Sequence, residues 1–202
     1  MEGFLFCTKQ EIIDYLRKFG AGKNSRDTEL SEGVRLKHLY EKEFKKLFLI
    51  GVPVTQEGLR QVRRGAISKN VALKEFRNDD TDVDVLIIDG ADVNTASRNG
   101  FGGDAFQMKR LMEYQFNGDF NDSVIKELEK IFGKNYAKAP YLSLYLIINI
   151  APAVYASDWK KIADFCAKST VPFLRIIVGP VKNEKKEELL IEVFPRLRTV
   201  ML

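Results

Sequence analysis

The sequence predicts an α/β chain, more narrowly α+β. Its core runs helix, strand, strand, strand, helix, strand, with a central mixed sheet flanked by helices. Three observations carry this. Residues 83–88 and 105–111 are apolar-rich segments joined by a polar, glycine-rich loop, and polar residues alternate with apolar ones in the second. Residues 121–133 space their apolar positions as an amphipathic helix does. Residues 141–150, YLSLYLIINI, form one apolar run of aromatic and β-branched residues, the mark of a buried strand.

The elements follow in order. Residues 8–19 read as a helix: Thr8 caps, Glu11 sits three residues on, and Ile12, Ile13, Leu16 and Phe19 form a stripe. Gly20 and Gly22 end it, and 21–33 read as a polar loop. A second helix is expected over 34–50, burying Leu36, Leu39, Tyr40, Phe44, Leu47 and Phe48, with Gly51 and Pro53 as its stop. Residues 55–66 suit a short basic helix with Arg60, Arg63 and Arg64 near one side. Residues 70–76 are expected as a strand, with RNDDT as the turn before the strand at 83–89. The helix at 121–133 is capped near Asn121 or Asp122. After the strand at 141–150 come a helix at 157–168 capped by Ser157, a buried strand at 173–179, a charged turn at 182–188 and a last strand at 189–194. Residues 1–33 are expected as an N-terminal helical extension and 34–202 as one compact domain.

Composition narrows the function classes. With 45% apolar and 11% aromatic residues, the chain can bury a substantial core. No apolar run is long enough to span a membrane and the start does not read as a signal peptide, so a cytoplasmic protein with no membrane partner is expected. Cys7 and Cys166 have no paired spacing, which suits two reduced, buried thiols. His38 is the single histidine, which excludes most His-rich zinc sites and, unless His38 itself serves, a Ser-His triad. Charge is uneven. Residues 1–77 hold 16 Lys/Arg and 10 Asp/Glu, 78–122 hold 3 and 10, and 123–202 hold 13 and 8. An acidic centre between basic flanks suits a cation site within a polyanion-binding surface, although solvated faces give the same pattern.

The acidic centre carries the chemistry. On a strand, side chains alternate between faces, so Asp84 shares a face with Leu86 and Ile88. On a partner strand Gln107 and Lys109 share one face, while Phe106 and Met108 take the other. A carboxylate on one strand and an amide plus an amine on the next can converge, which suits a metal ion and a phosphate. An exposed polar strand face is the plainer alternative.

That element order, with Asp84 at the second strand and Gln107-Met108-Lys109 on the third, resembles the PD-(D/E)XK nuclease superfamily and its restriction endonuclease-like αβββαβ core. Phe106-Gln107-Met108-Lys109-Arg110 is most similar to the Gln-containing, Mrr-type branch. Tyr40-Glu41, followed by Phe44, Leu47, Phe48 and Gly51, resembles the Glu-bearing first helix of that branch. No proline precedes Asp84, and Asp82, Asp89 and Asp92 are its rivals. The resemblance implies a metal-dependent deoxyribonuclease using Mg²⁺ or Mn²⁺, acting on DNA, with homodimerisation left open. Asp84, the Gln107 carbonyl, the Met108 backbone carbonyl and Glu41 would hold the metal. Lys109 would orient water or stabilise developing charge. Arg60, Arg63, Arg64 and Arg110 would contact nucleic acid.

Other classes compete. Asp89 ends its apolar run as the phosphate acceptor of a receiver domain does, but such a domain needs its acid pair forty to fifty residues earlier, after a first strand, and residues 34–50 read as a helix there instead. NGFGGD, 99–104, precedes a strand rather than a helix, so it reads as a hairpin loop and not a phosphate cradle. The stronger alternative is a catalytically inactive nucleic-acid-binding or protein-interaction domain on the same fold.

Overall fold

The computed structural model describes residues 3–20, 25–90, 103–112, 115, 118–134, 136, 141–149, 158–182, 185 and 187–201. Among these the chain is mixed α/β, with six helices and an eight-stranded, mostly antiparallel sheet whose strands follow chain order. It divides into two compact units, Met1–Phe106 and Gln107–Leu202. The division expected at residue 33 falls instead inside a helix.

The first unit opens with β1 (Phe4–Cys7), absent from the sequence-based expectation, and α1 (Lys9–Phe19). The Thr8–Glu11 capping box forms as expected, and Ile12 and Tyr15 are buried. The next helix, α2, spans Ser25–Phe44, so it starts where a loop was expected and ends before 50. Its buried positions include Arg26, Asp27, Glu32 and Lys37 as well as Leu30, Leu36, Leu39 and Tyr40. Four buried polar residues erase the apolar stripe that would have marked its first turns. A Cβ on Gly33 would stand 3.2 Å from a Val85 methyl, so the bare glycine lets the helix lie close on the sheet. Lys45 ends the helix at φ 55, in the left-handed region, and the chain turns into β2 (Phe48–Pro53).

Two short helices follow, α3 (Gln56–Arg63) and α4 (Lys69–Glu75). The basic helix was expected; α4 replaces the strand expected at 70–76. Ser68 accepts from the Val71 N–H at its start, and Ala72 and Leu73 are buried. The strand that follows α2 is therefore β2, not 70–76, and α3 and α4 come after it. Then come β3 (Val85–Asp89) and β4 (Gly103–Met112). β1, β2 and β3 pair antiparallel in turn, and β3 pairs antiparallel with the start of β4, from Val85↔Phe106 to Ile88↔Gly103. This is the pairing expected of 83–88 and 105–111.

The second unit continues β4 and adds α5 (Phe120–Phe132), β5 (Leu142–Asn149), α6 (Trp159–Lys168), β6 (Arg175–Lys182), β7 (Glu188–Phe194) and β8 (Arg198–Met201). The caps are Asp119 and Asp158, each one or two residues from the capping positions expected at the Asn121 and Ser157 ends; Ser157 itself lies outside the described residues. Stacked rings of Phe132 and Phe165, 6.1 Å apart, join α5 to α6. β5 and β6 are parallel, as a helical crossover requires, and β6, β7 and β8 pair antiparallel. Glu192 on β7 is buried and takes Arg175 at 2.9 Å and Arg198 at 2.6 Å. Cys7 and Cys166 are both buried and free, and burial pushes each thiol up to about 12. No helix among the described residues is long and apolar enough to cross a membrane.

Candidate functional site

Asp84 stands half-buried immediately before β3, and its N–H donates to the Phe106 carbonyl at 2.9 Å. Two residues beyond the Gly51↔Leu86 pair, β2 and β3 reach Pro53 and Asp84. The first turn of α2 meets the strands here. The Arg26 guanidinium, only 4% exposed, donates to the Pro53 carbonyl at 3.1 Å and lies 3.7 Å from Glu29 Oε2. Burial pulls the Arg26 pKa down; Glu29 opposes that, Arg77 adds to it, and Asp84 and Asp79 oppose it. Asp84 thus belongs to a cluster of acids and arginines around one buried guanidinium. Asp82 is half-buried nearby in sequence, and Asp92 lies outside the described residues.

Glu41 is elsewhere. Its carboxylate accepts from Lys37 Nζ and, at 3.2 Å, from the Phe48 N–H. Burial acts to raise its carboxyl, but the Lys37 ammonium and the Phe48 N–H outweigh that and hold it below the usual range. Phe48 faces Asp89 across the β2–β3 pair, so Glu41 sits at the far end of β3 from Asp84, five residues or about 17 Å along a strand. The two carboxylates are not brought together. The acid that α2 supplies at the Asp84 end is Glu29. Sequence reasoning missed it because the helix start was read as loop.

The second unit opens with the remaining candidates. Gln107 and Lys109 alternate onto one face of β4 and Met108 and Arg110 onto the other, as expected. Gln107 is buried, and its Nε2 donates to the Met108 carbonyl at 3.4 Å. Lys109 is half-buried with its ammonium 6.0 Å from the Tyr136 ring centre. Arg110 keeps a buried Nε that has no hydrogen-bond partner.

Arg60, Arg63 and Arg64 are exposed at the C-terminal end of α3, where cations also complement the helix dipole. Arg60 lies 3.6 Å from Glu57. Only 103 and 104 of the hairpin loop lie within the described residues. Among those residues no three His, Cys, Asp or Glu side chains gather as a metal ligand set.

No family model, curated protein or solved structure matches the chain.

Proposed function

We propose that the chain is a metal-dependent deoxyribonuclease of the PD-(D/E)XK type. What supports this is the order α2-β2-α3-α4-β3-β4-α5-β5, which is the αβββαβ order with two short helices inserted after its first strand, and the bond from the Asp84 N–H to Phe106, the residue directly before Gln107-Met108-Lys109. Asp84 comes from the first unit, and Gln107 and Lys109 from the second. The donors suit Mg²⁺ or Mn²⁺ chemically, because a carboxylate, an amide carbonyl and a backbone carbonyl are all hard oxygens. When bound, the ion supplies charge neutralisation at a phosphodiester and a more acidic water. Asp84 would ligate it, with Gln107 and the Met108 carbonyl. Glu29 takes the place first given to Glu41 as the α2 carboxylate. Arg26 brings positive charge toward Asp84, and Lys109 orients water or meets developing charge. The exposed arginines of α3 would meet phosphates, giving binding that weakens steeply with salt.

Plasmid and single-stranded DNA, incubated with the protein with and without Mn²⁺ or Mg²⁺, test the activity. Cleavage is expected only with metal. Asp84→Asn should lose both Mn²⁺ binding and cleavage, whereas Lys109→Ala should lose cleavage by about a hundredfold or more and keep Mn²⁺ binding in calorimetry. Gln107→Glu should tighten Mn²⁺ binding without a matching gain in rate, since ground-state affinity is not transition-state stabilisation. A second possibility, a non-catalytic nucleic-acid-binding or protein-interaction domain, is favoured by the engagement of Gln107 with Met108 and of Lys109 with Tyr136. It requires DNA or protein binding that is indifferent to metal and to Lys109→Ala.

A further inference from the structure

We propose that a cleft in the first unit, at the Asp89 end of β3, receives the basic side chain of a partner protein. The cleft encloses about 230 Å³. Drug-sized ligands occupy roughly 300–1,000 Å³, so this space suits one side chain rather than a nucleotide. Its apolar wall is Tyr40, Phe44 and Phe48, whose ring centres lie 5.5–6.0 Å apart. Ile87 also lines it. Its polar wall is Asp89, Asp104 and Lys46. Asp104 pairs with Ile87 across β3 and β4, and Asp89 lies two residues further on, so both aspartates take the same face of the sheet.

Charge selects the occupant. Among the described lining residues two carboxylates face one ammonium, a balance that favours a cation over a phosphate. This separates the cleft from the nuclease site proposed above, on which it does not depend. Lys46 Nζ sits 3.2 Å from Asp89 Oδ2, yet the lysine side chain is 64% exposed. Exposed pairs of this kind are weak. Lys46 therefore occupies Asp89 as an internal ammonium that an incoming one can displace. Tyr40 donates its hydroxyl to Asp104, which fixes that carboxylate against the aromatic wall. A lysine or arginine would lay its aliphatic stem on the rings and its charged head on the carboxylates. Phe44 and Leu47, 52% and 79% exposed, extend the apolar surface beside the cleft for residues flanking the basic one. The Leu47 carbonyl accepts the Gly90 N–H at 2.8 Å, which holds that ledge at the end of β3. A divalent cation is the weaker fit, because Lys46 already brings positive charge among the oxygens.

The full ¹⁵N-labelled chain should be titrated with N-acetyl-arginine methylamide, its norleucine counterpart, a tripeptide amide with arginine between two leucines, and MnCl₂. Saturable shifts at the amides of Phe48, Asp89 and Asp104 are expected with the arginine derivative. Tighter binding is expected with the tripeptide. Asp104→Asn should weaken binding about tenfold by removing a charge-assisted contact. Lys46→Gln should tighten it severalfold, because the internal competitor is gone. That opposite sign cannot come from misfolding. The proposal is overturned if norleucine binds as well as arginine, if Lys46→Gln fails to tighten binding, or if the tripeptide gains nothing over the single residue. Displacement of the arginine derivative by Mn²⁺ would mark a metal site and overturn it as well.

Discussion

Asp84 and Asp89 stand at the two ends of β3, and the chain meets their charges in contrasting ways. At the Asp84 end the answer is Arg26, 4% exposed, with Glu29, Arg77 and Asp79 around it. At the Asp89 end it is Lys46, whose side chain is 64% exposed, beside an aromatic wall. A buried guanidinium cannot leave without stranding its acids, whereas an exposed ammonium can swing away at little cost. The first arrangement buries its cation among the acids. The second leaves its cation exposed to solvent.

The largest expected effect breaks the buried side. Arg26→Met should lower stability by about 3 kcal/mol in urea denaturation, since it removes the buried guanidinium from among partly buried acids and from the Pro53 carbonyl. A loss under about 1 kcal/mol would erase the distinction between the two ends. Next comes Glu41→Gln, which removes the carboxylate that joins Lys37 to the Phe48 N–H. It should cost about 1–2 kcal/mol at pH 7. Glu41 is held below the usual carboxylate range, so its contribution is present above the unfolded value, near 4.3, and is lost as pH falls through the folded one. The gap between parent and variant should therefore close in acid; a gap unchanged at pH 3 would assign the effect to packing. The smallest effect is Lys46→Gln, which should stay within about 0.5 kcal/mol by the same denaturation. A larger loss would make the two ends alike.

Much of the strand architecture was legible. The run Val85 to Ile88 is fully buried, and along β4 polar Gln107 and Lys109 alternate in sequence with Phe106 and Met108, so pattern located both strands. Asp84 was legible because it directly precedes that run. The start of α2 was not, because Arg26, Asp27, Glu32 and Lys37 take buried positions where a helix is expected to show apolar residues. Its end was not, because Phe48 to Pro53 continues the apolar character of the helix and only the left-handed Lys45 separates them. Residues 70–76 misled because the deciding signal was the cap, Ser68, which lies outside the window that looked like a strand. Glu29 and Arg26 escaped for a further reason. Their relation to Asp84 spans more than fifty residues and depends on β2 lying between, which no local pattern carries.

The buried Glu192 has a bearing on the last strand. β8 is four residues long, and its place beside β7 is secured by backbone pairing and by Arg198 reaching Glu192. β7 is ELLIEVF, an apolar ribbon. Trimming 198–201 would therefore strip the cover from a sticky border and leave Arg175 alone with the carboxylate. The shortened protein would be prone to add foreign strands along β7, so that self-association, rather than unfolding, becomes its first failure.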